Sequence, residues 1–407
     1  MKEKKKKESA MPNRLAWFIY VTGCRLYMWF HNKVRIDRSV FRKRNKKEGC
    51  IVIYNHSSNK DHFITTMCFG HTRAAYVTSS HFYFNKTYRM LLNWVRAIPK
   101  EQFKSDIATI KKIKRALQKN LPVSIAPAGQ ITVHGDPLYI DPSIVKLLKM
   151  CKVDVYAIQM HGNYYAYPKW RKYRRKLPIY AKFVKVMDKN DLEHLSDEEI
   201  YHHVCHAIAI NDREEQAIYQ YQLTSAGLIE GIESILYQCP KCMSKYRNQT
   251  TGDTLTCTVC GNQIRMNHQG FLEPVSTDVV MMQNEAEWYK WEQHKMQQVM
   301  EKGDFRLEGK FKLLHNLNHS YILEEVGEGK VVLTMNELYY EGTFQEHWIR
   351  KDFKLERLQQ LPFEVRKHFD IPDDDGCFEF IPAEGEQMAK ITEFVQAIEV
   401  MSKMRKQ

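Results

Sequence analysis

Short apolar runs alternate with amphipathic stretches through the first half of the chain. Three of the runs have the length and apolar character of buried strands: residues 50–54, 122–126 and 153–160. Two stretches have helical spacing of apolar residues: 106–119, with Ile107, Ile110, Ile113 and Leu117 on one face, and 142–150. Strands that alternate with helices predict an α/β domain, with a central sheet flanked by helices.

The predicted end of this α/β domain follows one more helix. Ser196 with Glu199 has the spacing of a capping box, and the helix is predicted to run through His206, with Tyr221 as the alternative end. We therefore place the α/β domain at residues 14–225, after a basic tail at 1–13.

The second half has a different pattern. A cysteine-rich module is predicted at 236–268 and a helical connector at 275–304, where the helix covers residues 284–301. Strand-like runs follow at 312–314, 321–326, 330–335, 337–340, 348–355 and 377–381. Turn signals lie at 327–329 and 373–376. The chain closes with a predicted helix carrying Met388, Ile391, Phe394, Val395, Ile398 and Met401 on one face. Residues 305–407 are thus predicted to form an α+β domain, which resembles a PH or GRAM-type domain in its pattern.

The N-terminal segment combines basic and apolar residues. Lys2 and residues 4–7 form a lysine cluster, and apolar stretches follow at 15–21 and 26–30. Gly23, Cys24 and Arg25 interrupt them, and the apolar length falls short of the roughly 20 residues that span a bilayer. We predict a helix lying in a membrane interface; a helix docked on its own domain is the alternative.

Charge separates the two halves. Residues 1–190 hold 39 Lys and Arg against 11 Asp and Glu, and the remaining residues hold 22 against 37. The first half therefore favours an anionic partner: anionic lipid, a phosphorylated substrate or nucleic acid. Nucleic acid is not expected, because no recognition motif accompanies the charge. The acidic tail favours a protein contact.

His56 and Asp61 are the strongest candidates for chemistry. His56 follows the predicted strand at 50–54, where the carboxyl end of a buried strand often carries function. A carboxylate five residues later can hold the imidazole in one tautomer. The histidine would then act as a general base on a bound hydroxyl.

Residues 55–61 resemble the first motif of the glycerolipid acyltransferase family, the lysophosphatidic acid acyltransferases. Its signature is N-H-x-S-x-x-D, which Asn55, His56, Ser58 and Asp61 match residue by residue. The resemblance implies that His56 is the general base, Asp61 its orienting partner, and Asn55 and Ser58 part of the substrate site. It implies an acyl-CoA or acyl-carrier-protein donor and a lysophospholipid acceptor such as 1-acylglycerol-3-phosphate.

The later blocks match less well. Residues 79–100 resemble the second block and imply that Arg96 and Lys100 contact the acceptor. In the third block Pro127 and Gly129 remain, and the resemblance implies that they bind substrate, but Ala128 and Ile131 replace the family's glutamate and arginine. An isoleucine cannot clamp a phosphate. Either Arg96, Lys100 or Lys104 takes over, or the acceptor is not lysophosphatidate, or the fold is a weakened catalyst.

The resemblance leaves two functional hypotheses. One is an acyltransferase that works in the cytoplasm, peripherally on the inner face of a membrane. The other is a lipid-binding adaptor that recruits a protein partner through the cysteine-rich module or the tail. The basic run at 169–176 is either a clamp for headgroups or donor phosphates, or a solvated loop.

Four cysteines have the spacing of metal ligands. Cys239 with Cys242 and Cys257 with Cys260 form two C-x2-C pairs separated by fourteen residues, which predicts a zinc ribbon. Four thiolates complete a tetrahedral site, so the Zn2+ is expected to be structural. A disulfide or redox function is the alternative. His202, His203 and His206 are interpreted as surface residues.

Overall fold

The computed structural model describes residues 11–100, 107–317 and 320–406. The lysine cluster at 2–7 and Lys104 lie outside these ranges. The chain divides into two compact units. The first comprises the described residues up to Thr132, Asp136–Ala166 and Lys176–Asp212; the second comprises Val133–Gly135, Tyr167–Arg175 and the residues from Arg213 onward.

The first unit is an α/β fold. Its strands are β1 Val34–Asp37, β2 Cys50–Tyr54, β3 Ala75–Ser79, β4 Ile98–Lys100, β5 Pro122–Ile125, β6 Val155–His161 and β7 Ile179–Met187. Its helices are α1 Arg14–His31, α2 Ser39–Arg42, α3 Asp61–Phe69, α4 Lys86–Trp94, α5 Ile107–Leu117, α6 Ser143–Cys151, α7 Asn163–Ala166, α8 Asp191–His194 and α9 Asp197–Ala207.

The strands of the first unit form one sheet in the order β1-β7-β6-β2-β5-β3-β4. The strands β6, β2, β5, β3 and β4 run parallel, whereas β7 is antiparallel to β6 and β1 is parallel to β7. Every residue of β2 is buried because the strand lies in the middle of the sheet. The predicted α/β class is confirmed.

Of two sequence predictions about α9, one is confirmed and the other is wrong. The capping box at Ser196 is confirmed, since its Oγ accepts from Glu199 N at 3.2 Å and Glu199 accepts from Ser196 N at 2.8 Å. The helix ends at Ala207, however, and does not continue to Tyr221.

The second unit contains a small sheet, a long helix and a large sheet. Its elements are α10 Gln216–Tyr219, β8 Asn248–Thr251, β9 Thr254–Cys257, β10 Gln263–Met266, β11 Leu272–Pro274, α11 Glu285–Glu301, β12 Arg306–His315, β13 Glu324–Thr334, β14 Leu338–Phe344, β15 His347–Phe353, β16 Phe363–Glu364, β17 His368–Asp373, β18 Gly376–Pro382 and α12 Lys390–Met404. The antiparallel sheets have the orders β11-β10-β9-β8 and β15-β14-β13-β12-β18-β17-β16.

The turn predicted at 327–329 is wrong. Gly327 and Gly329 lie inside β13, where β14 passes so close that a Cβ on Gly329 would be 2.3 Å from the carbonyl oxygen of Glu341. The glycines allow strand contact and do not break the strand. The turn at 373–376 is confirmed, because it joins β17 to β18.

The C-terminal helix α12 supplies much of the core of the second unit. Phe394 packs on Phe369 and Phe311, with ring centroids 5.3 and 5.5 Å away. Ile391, Val395 and Ile398 are fully buried in the same cluster. Met388, which we predicted on this face, precedes the helix and is exposed.

Candidate active site

The strand β2 places His56 at the carboxyl edge of the sheet. Asn55, directly after the strand, fixes this edge: its Nδ2 donates to the carbonyl oxygen of Met160 at 2.9 Å, and its Oδ1 accepts from Met160 N at 2.8 Å. The His56 carbonyl oxygen accepts from Thr132 N at 3.1 Å, which ties the third block to the same loop. The position of His56 is thus set on two sides.

Asp61, the first residue of α3, is 1% exposed, and its carboxylate accepts several hydrogen bonds. It accepts hydrogen bonds from His56 Nδ1 at 2.6 Å, Ser57 N at 3.0 Å, Ser58 N at 3.3 Å, Ser58 Oγ at 3.1 Å and Asn163 Nδ2. The backbone donors come from the turn that leads into the helix, so the local fold itself aims this carboxylate at the imidazole.

The tautomer of His56 follows from this contact. An ionised carboxylate only accepts hydrogen bonds, so Nδ1 of His56 carries the proton and Nε2 is left as an acceptor. The side chain of His56 is 21% exposed. The pair can therefore take a proton from a hydroxyl group that binds beside Nε2.

Asn163 belongs to this site, although the sequence analysis did not identify it. It begins α7, just past the end of β6, and it is fully buried. The only signal was topological, because β6 lies beside β2 in the sheet and parallel strands share a carboxyl edge. Asn163 thus adds to Asp61 a hydrogen bond from a part of the chain that is distant in sequence from the Ser57–Ser58 turn.

A second buried carboxylate holds the turn that carries Asn163. Asp212 accepts from Gly162 N at 2.7 Å, Tyr164 N at 2.9 Å and Tyr165 N at 3.3 Å. These N–H groups belong to the start of α7 and have no partner within that helix. Asp212 therefore fixes the backbone around Asn163, and through Asn163 it supports Asp61.

A cavity of about 250 Å³ in the first unit opens beside His56. Its polar lining consists of Asn55, His56, Ser57, Thr132, Asp136, His202 and His206, and its remaining lining consists of Ala128, Pro137, Leu138, Ile140, Cys205, Ile208, Ala209 and Ile210. The lining therefore contains both apolar side chains and the candidate base. Such a surface can bind a molecule that has both a hydrocarbon part and a polar group.

Several predicted substrate residues lie away from this lining. Ser58 is buried, and its hydroxyl donates to Asp61 and accepts from Lys60 N at 3.0 Å. Gly129 forms a turn at a φ of 69°, next to Pro127, and the neighbouring Ala128 is the residue that lines the cavity. The exposed Arg96 follows α4, and Lys100 lies in β4.

His202 and His206 are exposed on α9, as the sequence analysis expected. Their rings stack with centroids 6.3 Å apart, because residues four apart share a helix face. Both also line the cavity beside His56, which the sequence analysis missed. His203 points elsewhere on the helix and is not part of this lining.

Comparison with known proteins bears on this unit. Residues 30–161 match the family model "Acyltransferase". These residues form an acyltransferase-type domain. The match contains β2, His56 and Asp61 and ends at the last residue of β6. Asn163, the two cavity histidines of α9 and Asp212 therefore lie beyond the matched part.

The chain is also similar to a solved structure. The 1-acyl-sn-glycerophosphate (LPA) acyltransferase PlsC from Thermotoga maritima is 14% identical, with a TM-score of 0.36, over 46% of this chain and 77% of that chain. Among curated proteins, no match was found.

The second unit brings the four predicted zinc ligands together. The sulfur atoms of Cys239, Cys242, Cys257 and Cys260 all lie within 4.8 Å of one another. Two of the Sγ–Sγ distances, Cys239–Cys260 and Cys242–Cys257, are 3.7 Å. A tetrahedral ion with Zn–S bonds of about 2.3 Å requires sulfur separations of about 3.8 Å. The cluster therefore fits Zn2+.

The pKa values of the cluster's thiols are shifted in both directions. A hydrogen bond from Ser244 lowers the pKa of Cys242 to about 6, whereas burial raises the pKa of Cys239 to about 12. A bound metal cation deprotonates such a thiol. All four cysteines are free thiols in this structure, so the disulfide alternative receives no support.

The basic run at 169–176 is divided between exposed residues, Lys172, Tyr173, Arg174 and Lys176, and residues that are buried in the second unit. Two of its three arginines are buried: Arg171 donates to the carbonyl oxygens of Ala226 at 2.7 Å and Gly227 at 3.1 Å, and Arg175 donates to that of Leu228. Trp170 is buried beside Arg175. These guanidinium groups satisfy buried carbonyls, so half of the run is internal structure.

The helix α1 has apolar residues on two faces. Trp17, Val21, Cys24 and Met28 are buried, whereas Leu15, Phe18, Ile19, Leu26, Trp29 and Phe30 are exposed. The helix is continuous through Gly23 and Arg25. None of the described helices is long and apolar enough to cross a bilayer.

Proposed function

We propose that this protein transfers a fatty acyl group from acyl-CoA or acyl-carrier protein to the hydroxyl of a lysophospholipid such as 1-acylglycerol-3-phosphate. The main support is the geometry of His56, whose Nδ1 is held by Asp61 at 2.6 Å and which lines a partly apolar cavity. The family match over residues 30–161 agrees with acyl transfer in general.

In the proposed reaction His56 acts as the general base. Its Nε2 takes the proton of the acceptor hydroxyl, and the oxygen attacks the carbonyl carbon of the donor thioester. A new C–O bond forms as the C–S bond breaks. The leaving thiolate takes the proton from His56, which returns the base to its starting state. Asp61 stabilises the imidazolium between these two transfers.

The proposal assigns the acceptor headgroup to residues outside the third motif. Ala128 lines the cavity where the family has a glutamate, and Ile131 replaces the arginine. Arg96 and Lys100 are the described candidates for binding an acceptor phosphate. If they fill this role, replacing both with glutamine raises KM for phosphate-bearing lysolipids and leaves KM for neutral ones unchanged.

The test is an acyl-transfer assay on the zinc-loaded full chain, with labelled acyl donors and a panel of lysolipids. Loss of transfer in His56→Ala, with transfer retained in the matched control His203→Ala, supports the proposal. His203 is a suitable control because it is exposed and does not line the cavity. Equal transfer by the wild type and His56→Ala on every acceptor would refute it and leave the lipid-binding adaptor.

We further propose that the protein works in the cytoplasm at the inner face of a membrane, with α1 lying in the interface. The exposed side of α1 carries Trp29, which is 74% exposed, together with five other large apolar residues. A helix with one apolar face on the protein and another in solvent suits a lipid surface. Binding to anionic vesicles that falls with salt and is lost without residues 1–13 supports this role.

The second unit is proposed to recruit a protein partner. Val259 and Met243 are exposed at the two knuckles of the cysteine cluster, and apolar residues on a rigid zinc ribbon suit a protein contact. The PH-like assignment of residues 305–407 remains a proposal based on its strand and helix pattern. Alanine at Val259 and Met243 should weaken partner capture and leave acyl transfer unchanged.

A further inference from the structure

A second exposed apolar surface lies on α4. None of the nine residues of this helix is buried. Met90 is 54% exposed and Trp94 49% exposed, and Tyr88 and the preceding Phe82 are exposed as well. We refer to Phe82, Tyr88, Met90 and Trp94 as the α4 face. Phe82 and Tyr88 contact each other edge to face, with ring centroids 6.0 Å apart.

The arrangement around the helix is that of an interfacial helix. At about 100° per residue, Met90, Trp94, Leu91, Tyr88 and Leu92 fill an arc of roughly 200°. Lys86, Arg89 and Asn93 occupy the opposite side. A wide apolar arc with a narrow basic side is typical of helices that lie in a bilayer interface. Tryptophan and tyrosine are also the residues preferred at that depth.

The surrounding charge has one sign. Residues 62–100 contain no Asp or Glu, whereas they contain Arg73, Lys86, Arg89, Arg96 and Lys100. Each basic residue near an anionic leaflet contributes about 1 kcal/mol of attraction. A protein partner would have to be both strongly apolar and acidic, but an anionic bilayer offers both properties at the same depth.

We propose that α4 is a second lipid-contacting element, which enters the interface of an anionic bilayer through the α4 face. This inference extends the proposed membrane role of α1 and does not depend on acyl transfer. The helix is held at its start by Asn85, whose Oδ1 accepts from Thr87 N and Tyr88 N at 3.0 and 3.1 Å. It therefore meets the lipid as a formed helix.

The first experiment measures partition onto vesicles of phosphatidylglycerol and phosphatidylcholine. Met90→Ser with Trp94→Ser should weaken binding by about tenfold or more, because two large apolar side chains no longer enter the lipid. Lys86→Gln should weaken it by about fivefold on anionic vesicles and leave binding to pure phosphatidylcholine unchanged. Trp348→Ser is the matched control, since Trp348 is exposed in the second unit.

The second experiment places Trp94 in the lipid directly. The contribution of Trp94 to the tryptophan fluorescence is the difference between the wild type and Trp94→Phe. Vesicles of brominated phosphatidylglycerol should quench this contribution. Circular dichroism and thermal melting establish that each variant is folded. The role of α4 would be overturned, and that of α1 kept, by the following set of results. Trp94 emission is not quenched, the variant with Met90→Ser and Trp94→Ser binds vesicles fully, and the variant with Trp29→Ser and Phe30→Ser loses binding.

Two other outcomes overturn the inference in distinguishable ways. If neither α1 nor α4 variants change vesicle binding, the membrane role fails at both elements, and His56-dependent transfer to a monomeric short-chain acceptor still tests the chemistry separately. If the α4 variants change only the oligomeric state in light scattering, the α4 face contacts a second copy of the chain.

Discussion

Asp61 shows how one buried side chain can organise a site from two distant parts of the chain. The Ser57–Ser58 turn, His56 and Asn163 all donate to it, and the last of these is 102 residues away. A carboxylate held in this way cannot rotate without losing several bonds at once. The direction of the His56 imidazole is therefore a property of the fold as well as of the motif.

Removing the most distant donor tests this interpretation. Asn163→Ala should lower kcat about tenfold, because Asp61 and His56 are less well oriented, with KM for the acceptor nearly unchanged. The free energy of unfolding should fall by about 1–3 kcal/mol. Steady-state kinetics and urea denaturation measure both effects. The exposed Asn190→Ala is the control, and equal kinetics for the two variants would contradict the assignment.

Glu399 on α12 makes stability depend on pH. Burial raises its pKa to about 7, and Gln293 Nε2 donates to it at 2.7 Å. Because the folded state keeps the proton longer than the unfolded state, stability from this group is lost as pH rises from about 4.5 to 7. Glu399→Gln should match the wild type at pH 4.5 and be more stable by on the order of 2 kcal/mol at pH 8.

Urea denaturation at the two pH values checks this expectation. Glu384→Gln provides the control, since Glu384 is exposed on the same unit. A constant difference between Glu399→Gln and the wild type across the range would count against a titrating Glu399.

At the residue scale, the sequence predicts what is local. His56 and Asp61 are predicted from the N-H-x-S-x-x-D motif and the four cysteines from their spacing, because their partners lie within a few residues or in a repeated motif. Asn163 and Asp212 carry no such signal. Their roles depend on β6 lying beside β2 and on Asp212 reaching back about fifty residues to the start of α7.

At the scale of elements, the glycines of β13 show most clearly that a sequence pattern typical of a turn can lie inside a strand. A Gly-x-Gly sequence is typical of a turn, yet here it permits contact between two long strands. Gly329→Ala would bring a Cβ to 2.6 Å from Gly342 Cα and 2.3 Å from the Glu341 carbonyl oxygen. Backbone atoms cannot move aside easily, so the substitution has a steric cost.

Gly329→Ala should therefore destabilise the second unit by about 1–3 kcal/mol in chemical denaturation. Gly23→Ala is the matched substitution in α1, where a Cβ has nothing within 4 Å. It should stabilise the first unit by about 0.5–1 kcal/mol, because alanine favours the helix. If Gly329→Ala has no effect on unfolding, β13 and β14 do not pack as closely as described.

The four-cysteine cluster is connected by hydrogen bonds and an ion pair to helices of the same unit. Gln238 N, next to Cys239, donates to Glu292 of α11 at 2.8 Å, and Lys245 pairs with Glu393 of α12 at 2.5 Å. Without a metal, the short strands β8–β11 have little core of their own. Loss of a bound ion should therefore destabilise the packing of α11 and α12 as well as the cysteine module.

Chelation should remove one Zn2+ per chain and lower the melting temperature of the second unit, and Cys242→Ser should have the same effect. The measurements are metal analysis and calorimetry. Cys151→Ser, outside the cluster and half-buried, should retain the metal and melt within about 2 °C of the wild type. Full thermal stability of metal-free protein would show that the ribbon folds independently of its ion.

At the scale of the whole molecule, the sequence predicts the fold class of each half but not how the chain is divided between them. The residues predicted as one domain at 14–225 contain two segments of the second unit, Val133–Gly135 and Tyr167–Arg175. Local hydrophobic patterns do not reveal that short segments within one stretch of sequence belong to the other unit. The segments predicted at 236–268, 275–304 and 305–407 all fall in the second unit.

This division makes a prediction about fragments. In a fragment of residues 1–225, Trp170 loses its buried surroundings, and Arg171 and Arg175 lose the carbonyl oxygens of residues 226–228. A fragment cut after Asp212 also lacks Arg213, which donates to the His134 carbonyl oxygen at 2.7 Å and pairs with Glu285 at 2.8 Å. Both fragments expose apolar surface and leave buried polar groups unpaired.

Both fragments should therefore be poorly soluble or melt without a cooperative transition, even though each contains the whole family-matched segment. Co-expression with residues 226–407 or 213–407, respectively, should restore solubility, because the missing partners return without a covalent link. Calorimetry and near-ultraviolet circular dichroism compare the fragments with the full chain. A fragment of residues 1–212 that unfolds cooperatively and transfers acyl groups at the full-length rate would show that the second unit is dispensable for the first.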